Sequence, residues 1–280
     1  MAEYILRITC IDRPGIIHAL SGGIVAADGN VVEQEQFSDL ETGRFLARTR
    51  FTADDDATRV HAAIEAALEP FGATIALRRS DEHPRILIMV SQYDHCLVDL
   101  LYRWEAGELP VEIVGIVSNH GTCRPIAERH GIPFEHLPVT KETKAAQEAS
   151  LLALVDALGV DLVVLARYMQ ILSDDACRAL EGRAINIHHS FLPGFKGARP
   201  YHQAHARGVK LIGATAHFVT ADLDEGPIIE QEVRRVTHRQ TPDDLAEIGR
   251  DVERLALARA VRLFAEDRVF PNGNRTVVFE

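Results

Sequence analysis

The residues best placed to do chemistry lie in one stretch, AINIHHSFLPGFKGARPYHQ (184–203). If it opens as a strand, side chains two apart face the same way. Asn186 and His188 then share a face, and Ile185 and Ile187 point to the other. The run ends at Leu192-Pro193-Gly194 and a glycine-rich loop. Open α/β sheets hold their ligands outside the carboxyl ends of strands, so this placement suits a site. An amide beside an imidazole can hold and protonate a developing oxyanion. The same pattern also describes a polar strand end with solvated side chains, and spacing alone does not separate the two.

A second stretch, GATAHFVTADLDEGPII (213–229), carries His217 in a strand-like run, then a loop crowded with acids from Thr220 to Pro227. Asp224, ahead of the Gly-Pro turn, can be pinned by backbone contacts. A pinned carboxylate orients a histidine or takes a proton from water. An ordinary acidic turn is the competing reading, and His217 either lines a site or packs.

Thirteen histidines raise the question of a metal. The closest pairs are His188 with His189 and His202 with His205, and no Cys or acidic ligand accompanies them at a recognised spacing. No metal is expected, and His189 is expected to point away from His188 in a structural role. Cys10, Cys96, Cys123 and Cys177 form no CxxC pair, so neither a disulfide framework nor a Cys-rich zinc site is indicated. No G-x-G-x-x-G stands between a strand and a helix, so no nicotinamide cofactor is indicated.

These residues need a scaffold, and 280 residues suggest about two domains. The first 80 or so read βαββαβ: strand 4–10, helix 15–27, strands 31–38 and 43–51, a helix through Val60, Ile64 and Leu68, and strand 73–79. That order is ferredoxin-like. Ser80 to Pro84 is short and polar, with 81–84 as the linker. Beyond it, 86–90, 112–117, 134–137 and 161–166 are short β-type runs; 86–90 is apolar throughout, and 112–117 and 161–166 are apolar after a leading acid, as strands buried on both faces should be. Helical segments 141–158 and 174–181 lie between and after them, with Ser173 as an N-cap. Strands near 184–189, 211–219 and 228–235 follow, and then a long helix starts at Thr241-Pro242. The alternation predicts an α/β fold with a doubly wound, mostly parallel sheet over 85–280.

The composition narrows the function. Hydrophobic residues make up 46% and charged residues 25%, a soluble globular profile. The 30 Lys+Arg against 41 Asp+Glu leave −11, which argues against coating nucleic acid or anionic membrane. Without a signal-type N-terminus or a long apolar run, the chain is expected in the cytoplasm. The runs Asp54-Asp55-Asp56 and Asp243-Asp244 read as helix-start acids and solvated faces.

The segments NIHHSFLP…GARPYHQA and HFV…LDEGPII, with SNHGTCRPIAERHGIPFEHLPV (118–139) and LARYMQILS (165–173), resemble the 10-formyltetrahydrofolate-dependent formyltransferase fold. The N-terminal DRPGI resembles an ACT domain, a small amino-acid-sensing module. The fusion of the two, matched over essentially the whole chain, is the layout of the formyltetrahydrofolate deformylase family. The resemblance implies catalytic roles for Asn186, His188 and Asp224. It implies a folate pocket from Met169, Gln170, Ile171, Leu172, Val219, Thr220 and Asp222, with Gln170 standing where purine-pathway transformylases carry Arg. It also implies an effector pocket at Asp12, Gly15 and Asn30 for an amino acid such as glycine or methionine, and a homo-oligomer, dimer or tetramer.

Ribonucleotide formyltransferases of this fold hold the acceptor phosphate on a glycine-rich loop after the domain's first strand. Here Ser91 to Leu97 contains no glycine, and Asp94 adds negative charge. Water is then the natural nucleophile. The reaction implied is hydrolysis of 10-formyltetrahydrofolate to tetrahydrofolate and formate, in one-carbon metabolism and purine synthesis, with the folate as substrate and no separate cofactor. Transfer to an amine, or a non-catalytic amino-acid sensor, are the alternatives. Lys196 and Arg199 are the expected local cations for the folate's anionic tail.

Overall fold

The protein is described by a computed structural model covering residues 1–53, 56–192 and 200–280. It divides into two compact units. One comprises Met1–His83 with Asp267–Phe270 and Val277–Glu280, the other Pro84–Glu266 with Pro271–Thr276.

The first unit runs β1 (Ala2–Ile11), α1 (Ile16–Ala26), β2 (Asn30–Asp39), β3 (Arg44–Ala53), α2 (Ala57–Leu68) and β4 (Thr74–Arg79). The strands pair antiparallel in the order β2-β3-β1-β4, a ferredoxin-like sheet. Gly15, at φ 100, makes the left-handed step from which α1 starts. The Asp56 carboxylate caps α2 by accepting from the amides of Thr58 and Arg59. Tyr4, Leu6 and Ile8 alternate along β1 and bury against Leu20 and Ile24 of α1 and Val60, Ile64 and Leu68 of α2. The chain's last residues complete this unit. Arg268 bonds the carboxylates of Glu33 and Glu35, and Phe270 and Phe279 pack with Leu46. The linear sequence signals this return nowhere.

The second unit runs β5 (Arg85–Val90), α3 (His95–Glu105), β6 (Glu112–Ser118), α4 (Arg124–Arg129), β7 (Phe134–His136), α5 (Lys144–Ala157), β8 (Leu162–Leu165), α6 (Asp174–Ala179) and β9 (Ala184–His188). There follow α7 (Pro200–Ala206), β10 (Leu211–Phe218), β11 (Ile228–Arg235) and α8 (Pro242–Ala265); a terminal hairpin, β12 (Val269–Asn272) and β13 (Arg275–Val278), is divided between the units, with Pro271–Thr276 in the second. The seven-stranded sheet has the order β11-β10-β9-β8-β5-β6-β7. Its β5 to β9 pairings are parallel, and β10 and β11 add antiparallel. Leu87, Met89, Val117, Val163 and Leu165 enter one core cluster with Leu151 and Val155 of α5, as a sheet covered by helices requires.

Three helices of this unit and the terminal hairpin lie outside the sequence reading. The stretch read as loop at 91–97 turns into α3 at His95, because Cys96, Leu97, Leu100 and Leu101 all find burial. Helix α5 starts at Lys144 rather than 141, since Thr140 and Thr143 bond each other in a local turn. Ser173 and Thr241 are N-caps, and Thr241 with Asp244 forms a full capping box. No helix of the described residues is long and apolar enough to cross a membrane.

The topology fixes where a site can form. Strand β5 has β6 on one side and β8 on the other. The chain therefore leaves β5 in one direction and resumes beyond it in the other, which opens a crevice at the carboxyl ends of β5 and β8.

Candidate active site

Strand β9 ends in the sequence Asn186-Ile187-His188, followed by His189, and lies beside β10, in which His217 pairs opposite Asn186. The Asn186 Nδ2 lies 3.2 Å from His217 Nε2, and His217 Nδ1 lies 2.8 Å from the Phe218 carbonyl oxygen. A carbonyl only accepts, so His217 Nδ1 carries the proton and Nε2 accepts from Asn186. Burial lowers the His217 pKa, which favours this neutral form. One N–H of Asn186 is thereby committed, and the second remains to serve a ligand.

Asp224 reaches the same place from the loop after β10. Its φ is 58, a left-handed backbone that Asp tolerates better than most residues. The loop is tied by Thr220 Oγ1 donating to the Asp222 carbonyl and by Glu225 N donating to the same oxygen. It then passes over the end of β10 at Gly226. A Cβ there would stand 1.8 Å from the Phe218 carbonyl oxygen, so only glycine permits the approach. Asp224 Oδ1 comes within 3.2 Å of His188 Nδ1 and 3.9 Å of His217 Nε2. Burial pushes the Asp224 carboxyl up, but the hydrogen bond from His188 and the neighbouring imidazoles outweigh it and hold it below its ordinary range. It is a carboxylate at neutral pH. His188 is buried, and with Nδ1 turned to Asp224 its Nε2 has no hydrogen-bond partner among the described residues.

Asn186, His188 and Asp224 line one cavity of about 220 Å³ with Met169, Gln170, Ile171, Leu172, Val219 and Thr220. The structure thus brings together nearly all the residues the sequence singled out in this unit. The exception is Asp222, whose backbone ties the loop and which does not line the cavity. Met169, Ile171 and Leu223 offer exposed apolar surface along the cleft, while Leu172 and Val219 are buried at its wall. That arrangement suits a flat, partly aromatic ligand with its reactive end at β9. Asp12, Gly15 and Asn30 are exposed in the first unit, the first two ahead of α1 and the third at the start of β2. Lys196 and Arg199, the expected cations, lie outside the described residues, as do Asp54 and Asp55.

One expectation needs correction. His189 does not turn away from His188: their rings stack with centroids 5.0 Å apart, and His189 lines the same cavity. Strand β9 stops at His188, so the alternation of faces no longer applies to the next residue. Burial, then the charges of Arg167 and His188, lower the His189 pKa to about 4.

Sequence reasoning also missed a buried polar cluster at the β5/β8 crevice. Ser91 Oγ donates to Asn119 Oδ1 at 2.7 Å and accepts from Met169 N at 2.9 Å, tying together the ends of β5, β6 and β8. Glu253, on α8, is 1% exposed. Its carboxylate lies 2.7 Å from His95 Nε2, accepts from Tyr201 Oη at 2.6 Å and lies 3.4 Å from Arg167 Nε. Only the long-range fold joins α3, β8, α7 and α8, so no local signal marks this cluster. His95, Cys96 and Glu253 place three donor atoms within 4.8 Å of one another, a spacing a metal could use. The chemistry fits a metal poorly. The oxygens of Glu253 are already engaged, an arginine stands beside them, and burial drives the Cys96 thiol well up, away from a thiolate ligand.

Residues 84–261 match the formyl transferase family. A formyltetrahydrofolate deformylase of Corynebacterium sp. (strain P-1) is 49% identical, over 99% of this chain and 98% of its own length. That of Escherichia coli (strain K12) is 42% identical, over 98% of this chain and 97% of its own. Among solved structures, the formyltetrahydrofolate deformylase of Burkholderia mallei is similar at TM-score 0.96 and 53% identity, covering 100% of both chains. Glycinamide ribonucleotide transformylase 1 of Symbiobacterium toebii is similar at TM-score 0.66 and 33% identity, covering 70% of this chain and 94% of its own. With a family match over most of its length and deformylase relatives spanning both units, the chain belongs to the formyl transferase family and, within it, to the formyltetrahydrofolate deformylases.

Proposed function

We propose that the chain hydrolyses 10-formyltetrahydrofolate to tetrahydrofolate and formate. The observation that carries this reading is the Asp224–His188 pair beside Asn186, at the inner end of an apolar cleft. Deformylase relatives that span nearly the whole chain support hydrolysis over transfer.

The formyl group on an aryl nitrogen is an activated amide. A water attacks its carbon, and the new C–O bond moves charge onto the former carbonyl oxygen. The second N–H of Asn186 and an N–H at His188 Nε2 face that oxyanion. Asp224, a carboxylate at neutral pH, fixes the His188 ring and takes up the proton lost by water. The C–N bond then breaks, the nitrogen receives that proton, and the formic acid so formed gives its remaining proton to solvent and leaves as formate. Each acid–base element contributes on the order of 10²–10⁴-fold. His217 acts through Asn186 and is a positioning residue. The reaction as written uses no cofactor beyond the folate itself.

The remaining assignments rest on less. The cleft residues Met169, Gln170, Ile171, Leu172, Val219 and Thr220 take the folate, with Asp222 serving through its backbone. The first unit is an ACT-like module that senses a small amino acid such as glycine or methionine around Asp12, Gly15 and Asn30. Its loop ahead of α1 offers amides that suit a carboxylate. The protein works in the cytoplasm as a homo-oligomer, and supplies formate or balances folate pools in one-carbon metabolism.

The test is incubation with 10-formyltetrahydrofolate and no acceptor, following formate. Release by the wild type, abolished in Asp224→Asn and His188→Ala, is expected. Activity only with an added amine, or near-normal release by either variant, overturns the reading.

A further inference from the structure

Arg167 is the most unusual residue of the cavity wall. It follows β8 at the crevice where the strand order reverses, and its carbonyl accepts from Ser91 N. Its φ is 64, in the left-handed region that a long side chain seldom adopts. Its side chain is 10% exposed and lines the same cavity as Asn186, His188 and Asp224. The guanidinium lies over the Tyr93 ring, 5.4 Å from its centroid, and beside Glu253. Glu253 is held in turn by His95 and Tyr201, so the cation is fixed from behind. Yet Arg167 Nε and Nη1 make no hydrogen bond among the described residues.

A buried guanidinium that faces one carboxylate through Nε and has no partner at Nη1 among the described residues suits a second anion, since such a donor is costly to leave unmet. Arg167 shares its cavity with Asn186, His188 and Asp224. The cavity also holds His188 Nε2, likewise buried without a hydrogen-bond partner among the described residues. His189 stacks on His188 and feels the charges of Arg167 and of Asp224 together. These polar groups line the same cavity as the exposed apolar residues Met169, Ile171 and Leu223.

We propose that Arg167 is the residue that receives the one-carbon carboxylate product, formate. This rests on the hydrolytic reading above. Hydrolysis adds water's oxygen to the formyl carbon and breaks C–N, so a neutral formamide becomes an amine and a carboxylate. A transfer reaction makes no free carboxylate at this carbon. A guanidinium fork matches the two oxygens of formate. Arg167 thereby draws the product's charge away from Asp224, which would otherwise repel it.

The experiment is product inhibition of the whole enzyme by sodium formate and, separately, by tetrahydrofolate. Arg167→Met is expected to raise the formate inhibition constant by about tenfold or more, the loss of a charge-assisted pair, and to leave that for tetrahydrofolate within about twofold. Arg167→Met strands the buried Glu253 charge, so the double variant Arg167→Met/Glu253→Gln, which removes both charges, is measured alongside. Arg167→Lys keeps the charge without the fork and should fall between. Broadening of the NMR line of isotopically labelled formate reads binding without turnover: the wild type should broaden it and the double variant should not. Equal formate inhibition in wild type and variants, no inhibition of the wild type, or equal broadening by both overturns the proposal. A wild type that releases no formate refutes the hydrolytic reading instead, and the labelled-formate comparison still decides the role of Arg167.

Discussion

Replacing Gly226 by alanine should disable the site while leaving the fold intact. The added Cβ would meet the Phe218 carbonyl oxygen at 1.8 Å, whereas real Cβ contacts are essentially never under 3.0 Å. The loop must therefore retreat by about 1.2 Å or more, the difference of those two distances. The oxygen it strikes belongs to β10 backbone and also fixes His217 through Nδ1, so neither side yields cheaply. Asp224 sits two residues away in the same loop, with its carboxylate 3.2 Å from His188. A shift of that size breaks this hydrogen bond, and a misplacement of about 1 Å typically costs about 100-fold in rate. Gly226 is not at a left-handed φ, so the alanine adds no backbone strain of its own. The expected result is a fall in kcat for formate release of about 100-fold, with the far-UV spectrum close to wild type and the thermal unfolding temperature lowered. A kcat within about threefold of wild type would mean that the placement of Asp224 does not limit the reaction, and the mechanism drawn from this geometry would fall.

Three further outcomes follow from the same network. His217→Leu leaves the Asn186 amide without its acceptor, so kcat should drop about 10–100-fold with KM little changed, and an unaltered kcat would remove His217 from the machinery. His189 titrates near 4 in the fold against 6.5 in the unfolded chain, so the unfolded state binds the extra proton between those values. Stability from this group is whole above 6.5 and is lost as pH falls toward 4. Relative to His189→Gln, the wild type should lose about 2 kcal/mol between pH 7 and 5, which denaturant unfolding at both pH values measures. Glu253→Ala strands a buried Arg167 and should destabilise by about 3–5 kcal/mol, whereas Arg167→Met/Glu253→Gln should recover most of that; equal stability of the two variants would show that the pair is not coupled.

Much of the protein was legible because its signals are local. The apolar runs of β5, β6 and β8, the period of Val60, Ile64 and Leu68, and the Ser173 and Thr241 caps are short-range patterns, and each stands where it was expected. The grouping of Asn186 with His188 follows from the two-residue repeat of a strand, and the run 169–172 came from resemblance. Helix α3 escaped because its first residues look like the tail of a loop, and burial decides there. His189 was misjudged because a strand's alternation was carried one residue past the strand.

By itself, then, the sequence determined most of the strand and helix pattern, the family and the reaction class, and it put forward Asn186, His188 and Asp224 as the residues to test. The tertiary structure alone decided what those side chains face. It paired Asn186 with His217 across an antiparallel edge, and it let the loop at Gly226 close on β10 to bring Asp224 to His188. It also drew Arg167, His95, Tyr201 and Glu253 together from four separate segments into one buried charge cluster. The reason is physical. Hydrogen-bond geometry, burial and the sign of a charge's surroundings depend on distances in space, and residues 158 positions apart, as His95 and Glu253 are, leave no trace of their meeting in the order of the chain.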